Sequence, residues 1–239
     1  MGRFFGTDGV RGLANKFPLD ANTACRIAQL ATTQLLINRK KQNRPIFIAK
    51  DTRRSGDMLE HAVAAGVASM GVEARLLGVV PTPALAFVTK ELQGMGAIMI
   101  SASHNPFQDN GIKIFGPDGF KISDDIENAI EKDLMANTKP ETQTGEEIGS
   151  VTYDENSVKF WLSSLKKVCG ENTSSKKIKI ALDCANGAAA KWAGQLFSEL
   201  GYSIDALGIT PDGVNINKDC GSTHINNLVA MMKKERFDV

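Results

Sequence analysis

No run in this sequence is long and apolar enough to cross a bilayer, neither sign of charge prevails, and no two cysteines stand in a CxxC pair. Each absence closes off a class of function. With 28 Lys and Arg against 27 Asp and Glu, no general field exists to hold a nucleic-acid backbone or an anionic membrane, and neither is expected as a partner. Cys25, Cys169, Cys184 and Cys220 are too far apart in sequence for a zinc knuckle or a disulfide framework, and read as reduced, mostly buried thiols. The opening "MGRFFGTDGVRG" lacks the apolar core of a secretory leader, and Gly6 stands where a myristoylation site needs Ser or Thr, so a cytoplasmic location is expected. In that compartment the "NTS" sequon at Asn172 is a chance match. There is no Walker loop and no nucleophile elbow, and the "GMG" at 94–96 precedes a strand instead of a helix, so it is no dinucleotide fingerprint. His61 and His224 fall in helical stretches without ligand-spaced partners and read as solvent-facing or locally bonded.

What is present is an alternation of strands and helices. From Asp20 to about Gln42 the apolar residues Ala24, Ile27, Ala28, Ala31 and Leu35 share a helical face, with Asp20 as N-cap. "RPIFIAKD" reads as a buried strand, "DMLEHAVAAGVASMG" as a helix closed by Gly71, "VEARLLGVV" as a strand, "PTPALAFVTKELQG" as a helix and "AIMIS" as a strand. Arg53 and Arg54, just after the first of these strands, could touch an anion but read first as a solvated turn.

The same order recurs. "KIKIALDCANG" to "ITPDG" repeats the earlier unit, with Gly71 and Gly201, Gly78 and Gly208, and Pro81 and Pro211 each 130 positions apart. Strand and helix alternation requires long crossovers, so parallel pairing is favoured. The expectation is α/β: two related α/β sandwich domains with mixed, mainly parallel sheets between helices. The polar stretch 136–150 sets the boundary, giving units 1–150 and 151–239. Asp154 then caps a helix whose stripe of Val158, Trp161, Leu162, Leu165 and Val168 is assigned to the core. "THINNLVAMMKKE" carries a last helical face of Ile225, Leu228, Val229 and Met232, and Phe237 should begin the strand equivalent to "AIMIS". A second domain stopping there is incomplete, which suggests a piece of a longer protein.

Chemistry concentrates in "SASHNPFQDNGIKIF", where a core strand breaks into small and polar residues. Ligands of open α/β sheets sit beyond the carboxyl ends of the strands, where this loop falls. Ser101 finishes the strand and Ser103 faces solvent; His104 can donate to a phosphoryl oxygen or move a proton, Gly111 permits a close reversal, and Lys113 returns a cation toward the serine. A serine without a base is a poor nucleophile, but one that already carries phosphate needs mainly neighbours that neutralise its oxygens. A polar turn with no chemistry fits the same residues. In "GTDGVRG", Gly6, Gly9 and Gly12 let backbone amides approach an anion and Arg11 adds a forked donor, although glycine loops often merely turn.

Together, "GTDGVRG", "SASHNP" and the lysine of "NGIKIF" resemble the α-D-phosphohexomutase superfamily, and "LDCANGAA" and "PDGVNINKDCGST" are similar to its bacterial phosphoglucosamine mutase branch. The resemblance spans the whole chain. It implies that Ser103 is a phosphoserine that gives and recovers phosphate, with Arg11 and Lys113 as electrostatic helpers and His104 beside the phosphoryl group. It implies a phosphorylated amino sugar as partner, glucosamine 6-phosphate exchanging with glucosamine 1-phosphate through a bisphosphate for UDP-N-acetylglucosamine and peptidoglycan synthesis. It implies Mg²⁺ on a phosphoserine oxygen of Ser103, with aspartate ligands expected just past Val239, so these 239 residues alone are expected to be inactive or nearly so. A phosphomannomutase or phosphoglucomutase would share Ser103 and Arg11, and a non-catalytic binding piece is the reading outside enzymes. A serine hydrolase is disfavoured because His104 is the immediate neighbour of Ser103.

Overall fold

The computed structural model describes residues 4–6, 9–37, 44–169 and 178–239. Thr7 and Asp8 of the glycine loop, the helical continuation towards Gln42 and the Asn172 sequon lie outside them. Within the described residues, strands that are apolar at every position dictate three layers. A strand turns alternate side chains to opposite faces, so a run such as "GAIMI" is stable only when both faces are covered.

In chain order the elements are β1 (Phe5–Gly6), β2 (Gly9–Leu13), α1 (Ala21–Leu36), β3 (Ile46–Lys50), α2 (Ser55–Ser69), β4 (Ala74–Val79), α3 (Thr82–Glu91) and β5 (Gly96–Ile100). β6 (Asp109–Phe115), α4 (Asp124–Met135), β7 (Val151–Tyr153) and α5 (Glu155–Cys169) complete the first unit. The sheet order is β1-β2-β6-β5-β3-β4-β7. β5, β3, β4 and β7 run parallel, while β1, β2 and β6 add an antiparallel edge. Ile46 and Ile48 join Ile98, Ile100, Ile112 and Ile114 against helices α1, α2 and α4; Phe47 and Ala49 join Ala97 and Met99 on the opposite face against α3 and α5.

The caps follow the sequence signals. Asp20 accepts the Thr23 N–H at 3.0 Å and the Thr23 hydroxyl at 2.7 Å. Asp154 accepts the Ser157 N–H at 3.0 Å and its hydroxyl at 2.6 Å. Gly71 closes α2 with φ +76°, a left-handed turn that disfavours a side chain. Two expectations change. β7 pairs with β4, and Val158, Trp161 and Leu162 of α5 pack into the core around Phe47, so segments that the polar stretch 136–150 assigns to the second unit are built on the first sheet. Val168 is 85% exposed instead of core, because α5 meets α3 and the sheet only along its earlier turns.

The second unit contains β8 (Lys179–Asp183), α6 (Ala193–Glu199), β9 (Ser203–Leu207) and α7 (Asn226–Lys234), with β8 and β9 parallel. Beyond β8, the Val239 N–H donates to Lys179 O and Val239 O accepts from Ala181 N–H at 2.8 Å, the flanking pattern of a parallel strand where β5 flanks β3. The repeat extends to side chains. Asp51 Oδ1 accepts the Arg53 N–H at 3.0 Å after β3, and Asp183 Oδ1 accepts the Ala185 N–H at 2.8 Å after β8. Gly201 and Gly208 share the positive φ of Gly71 and Gly78. After Pro211 the repeat departs: where Pro81 leads straight into α3, residues 208–225 form a loop before α7. The apolar face of α7 stays open, with Ile225, Val229 and Met232 exposed.

Lys50 makes an ion pair with Glu60, whose side chain is 1% exposed. Removing one partner leaves a buried charge uncompensated, so Lys50→Met is expected to cost about 3–5 kcal/mol in urea unfolding, with Lys50→Met/Glu60→Leu recovering most of it. Burial alone would raise the Asp20 carboxyl, but its hydrogen bonds to Thr23 outweigh this and leave it lowered. The cap is therefore fully present above the unfolded pKa and is lost as pH falls through the folded one, and Asp20→Ala should cost about 1 kcal/mol at neutral pH but little in acid.

Candidate active site

β5 delivers the chain to the carboxyl edge of the sheet. Ser101 N–H bonds Gly111 O at 2.9 Å as the last rung, and Ser101 Oγ then accepts the Ser103 N–H at 3.1 Å. Asn105 N–H reaches back to Ala102 O at 3.1 Å, closing a turn whose first central residue, Ser103, has φ +52°. Turns with positive φ there favour Gly, Asn or Asp, so a serine is held against its backbone preference. Asn105 Nδ2 donates to Asp109 Oδ2 at 3.0 Å as the chain returns into β6. Gly111 lies within β6, not at the reversal where the sequence reading puts it; a Cβ there would come within 2.6 Å of Ser101 O, so close strand approach is what requires glycine.

Two neighbouring strands aim cations at the exposed Ser103 hydroxyl. Lys113, opposite Met99 on β6, donates from Nζ to Ser103 Oγ at 3.1 Å; Arg11, opposite Gly111 on β2, reaches the same oxygen from Nη2 at 3.5 Å. Lys113 is only 6% exposed. An ammonium taken out of water gains most from oxygen partners, and a phosphate on Ser103 Oγ would supply them. His104 is exposed and its ring makes no hydrogen bond among the described residues. It lines an open cleft of about 570 Å³ between the serine loop and the β9–α7 loop, with Phe107, Ile216 and His224. Ser103, Lys113 and Arg11 are thus brought together, and the His104 ring is not joined to them.

Two further residues hold the loop. Arg53 is 2% exposed, not the solvated turn its sequence suggests. It pairs with Asp51 and donates from Nη2 to Ser103 O at 3.2 Å and Asn105 O at 2.7 Å. Asn217, in the β9–α7 loop, donates from Nδ2 to the same carbonyls at 2.9 and 3.0 Å. The signal for Arg53 was partial: it stands two residues after the aspartate that follows β3, at the sheet edge, but only the pairing of β3 with β5 buries it under the serine loop. Asn217 carried none, because local sequence does not say that a loop of the second unit reaches the first.

Ser103 Oγ faces two cations, and no group of three His, Cys, Asp or Glu side chains gathers among the described residues. Mg²⁺ takes an octahedral shell of oxygens, so these residues do not by themselves fit a Mg²⁺ cage.

Residues 2–141 match the family model for phosphoglucomutase/phosphomannomutase, alpha/beta/alpha domain I. The chain belongs to the phosphoglucomutase/phosphomannomutase family. It is 44% identical over 241 residues to a phosphoglucosamine mutase of Syntrophus aciditrophicus, covering 100% of this chain and 53% of that protein. A phosphoglucosamine mutase of Caulobacter vibrioides is 42% identical, covering 99% of this chain and 52% of its own. The chain therefore spans about half the length of the curated relatives it matches. A phosphoglucomutase/phosphomannomutase family protein from Burkholderia thailandensis shares the fold, with a TM-score of 0.81 at 24% identity over 98% of this chain and 50% of that one.

If Ser103 is held against its backbone preference, Ser103→Gly should unfold within about 1 kcal/mol of the parent or later, whereas β-branched Ser103→Val should lose about 1–3 kcal/mol. Thermal unfolding of the two variants checks this.

Proposed function

We propose that Ser103 carries a phosphoryl group and that the whole protein interconverts glucosamine 6-phosphate and glucosamine 1-phosphate. The observation that carries this reading is the buried Lys113 ammonium 3.1 Å from Ser103 Oγ, with the Arg11 fork beside it. Similarity to phosphoglucosamine mutases along the chain supports the amino sugar.

Phosphoryl transfer asks little covalent chemistry of a protein and much positioning and charge stabilisation. When the Ser103 Oγ–phosphorus bond breaks, negative charge builds on Oγ, where Lys113 and Arg11 already point. A sugar hydroxyl oxygen forms the new bond to phosphorus, and the proton it loses ends on Ser103 Oγ, leaving a neutral serine and a sugar bisphosphate. In the return step the other phosphate of the bisphosphate moves to Ser103, and the proton travels the opposite way. We assign His104, at the mouth of the adjoining cleft, to the neighbourhood of the phosphoryl group. The same reading carries Mg²⁺ on a phosphoserine oxygen and a cytoplasmic setting for the whole protein. We place the division between the two α/β units after α5, ahead of β8.

In the full-length protein, peptide mapping should find one phosphate on Ser103, and kcat/KM for glucosamine 6-phosphate should exceed that for glucose or mannose phosphates. Ser103→Ala should abolish turnover, and Lys113→Met should lower it by about 10²–10³, as loss of a preorganised donor does. A phosphate mapped elsewhere, or undiminished turnover in Ser103→Ala, overturns the assignment; a preference for another hexose phosphate overturns the amino sugar alone.

A further inference from the structure

The carbonyls of Ser103 and Asn105 each accept two hydrogen bonds, one from Arg53 and one from Asn217. A carbonyl oxygen has two lone pairs, so both acceptors are fully used and the peptide planes that follow Ser103 and Asn105 are fixed from two directions. One direction belongs to the loop's own unit, through the turn after β3. The other comes from residues more than a hundred positions away, in a loop that the internal repeat lacks: the stretch after Pro81 becomes a helix at once, whereas the stretch after Pro211 folds back over the serine loop. The crossing is not isolated. Arg54 N–H bonds Gly213 O at 2.9 Å, Thr52 Oγ bonds Asn186 O at 2.5 Å, and Trp192 Nε1 bonds Val79 O at 2.8 Å.

Both donors are expensive to keep. Arg53 Nε is buried without a partner among the described residues, and the Asn217 amide is committed to two carbonyls of another segment. Residues held against local preference persist where the surroundings over-determine them, and Ser103 itself, at φ +52°, is such a residue. In that conformation of the turn its hydroxyl meets Lys113 and Arg11.

We propose that Asn217, acting with Arg53, is a positioning residue for phosphoryl transfer: it makes the second unit hold Ser103 in the left-handed turn that presents its hydroxyl to Lys113 and Arg11. The functional half of this rests on the phosphoserine reading; the structural half does not. Asn217 touches no reacting atom. The docked β9–α7 loop adds the second set of bonds to a turn that its own unit already ties, so movement of the second unit is transmitted to the reactive oxygen.

Asn217→Gly removes the amide and keeps a residue at ease with positive φ, so folding is preserved. Arg53→Lys is the second variant, since it keeps a positive charge for Asp51 while a lysine cannot reproduce the fork across both carbonyls. The first readout is hydrogen exchange in the 239-residue chain. The amides of residues 103–105 should exchange faster by on the order of tenfold in Asn217→Gly, while those of β5 and β6 stay as in the parent. The second is kinetics in the full-length protein, where kcat should fall by on the order of tenfold to a hundredfold with KM little changed. Unchanged exchange in 103–105 in both variants overturns the proposal, whatever the activity. Faster exchange with unchanged kcat keeps the clamp and overturns its role in transfer. Absence of phosphate on Ser103 in the parent overturns the functional reading while exchange still decides the clamp.

Discussion

A serine in a left-handed turn, with its hydroxyl against a buried ammonium, is the constraint around which the rest of this molecule is arranged. Neither feature favours folding. Serine at φ +52° strains the backbone, and Lys113 at 6% exposure has surrendered most of its hydration. They are tolerated because the sheet behind them is rigid. β5 and β6 pair from Ala97 opposite Phe115 to Ile100 opposite Ile112, β2 pairs beside β6, and Gly111 lets the Ser101 carbonyl come close. The three strands thereby fix the serine, the lysine and Arg11 relative to one another more firmly than a loop could.

The parts of this that were legible in the sequence are those with local causes. Strand apolarity on both faces, the Asp20 and Asp154 caps and the Gly71 terminus each depend on residues within a few positions, and the helices and strands fall where those signals put them. The serine stands out because its loop breaks an apolar pattern, the lysine and arginine because they interrupt short strands beside it, and the family resemblance implies roles for all three. Residues whose position depends on distant pairing were not legible. Arg53 looks like a surface arginine until β5 is known to lie next to β3, which buries it under the serine loop. β7 looks like part of a new unit because the polar stretch before it is a good linker by composition, yet its pairing with β4 is decided by the open sheet edge.

The internal repeat explains what is shared between the units and what is not. Asp51, just after β3, and Asp183, at the end of β8, each cap the turn two residues on, and both connections use glycines at positive φ. What differs is where chemistry concentrates: the first unit puts its serine loop after the strand that flanks β3, and the second spends its extra loop on holding that serine. The repeated fold is in this way asymmetric at one edge.

The central claim is that Lys113 and Arg11 converge on the oxygen of Ser103 to stabilise a phosphoryl dianion, and a ³¹P NMR titration of the Ser103-phosphorylated chain tests it most directly. Free phosphoserine loses its second proton at pH ~6. With two cations at the oxygens the folded chain should titrate well below its own urea-unfolded form, the two curves coinciding when Lys113→Met and Arg11→Met are combined. A folded phosphoserine that titrates at or above the unfolded value would contradict the account.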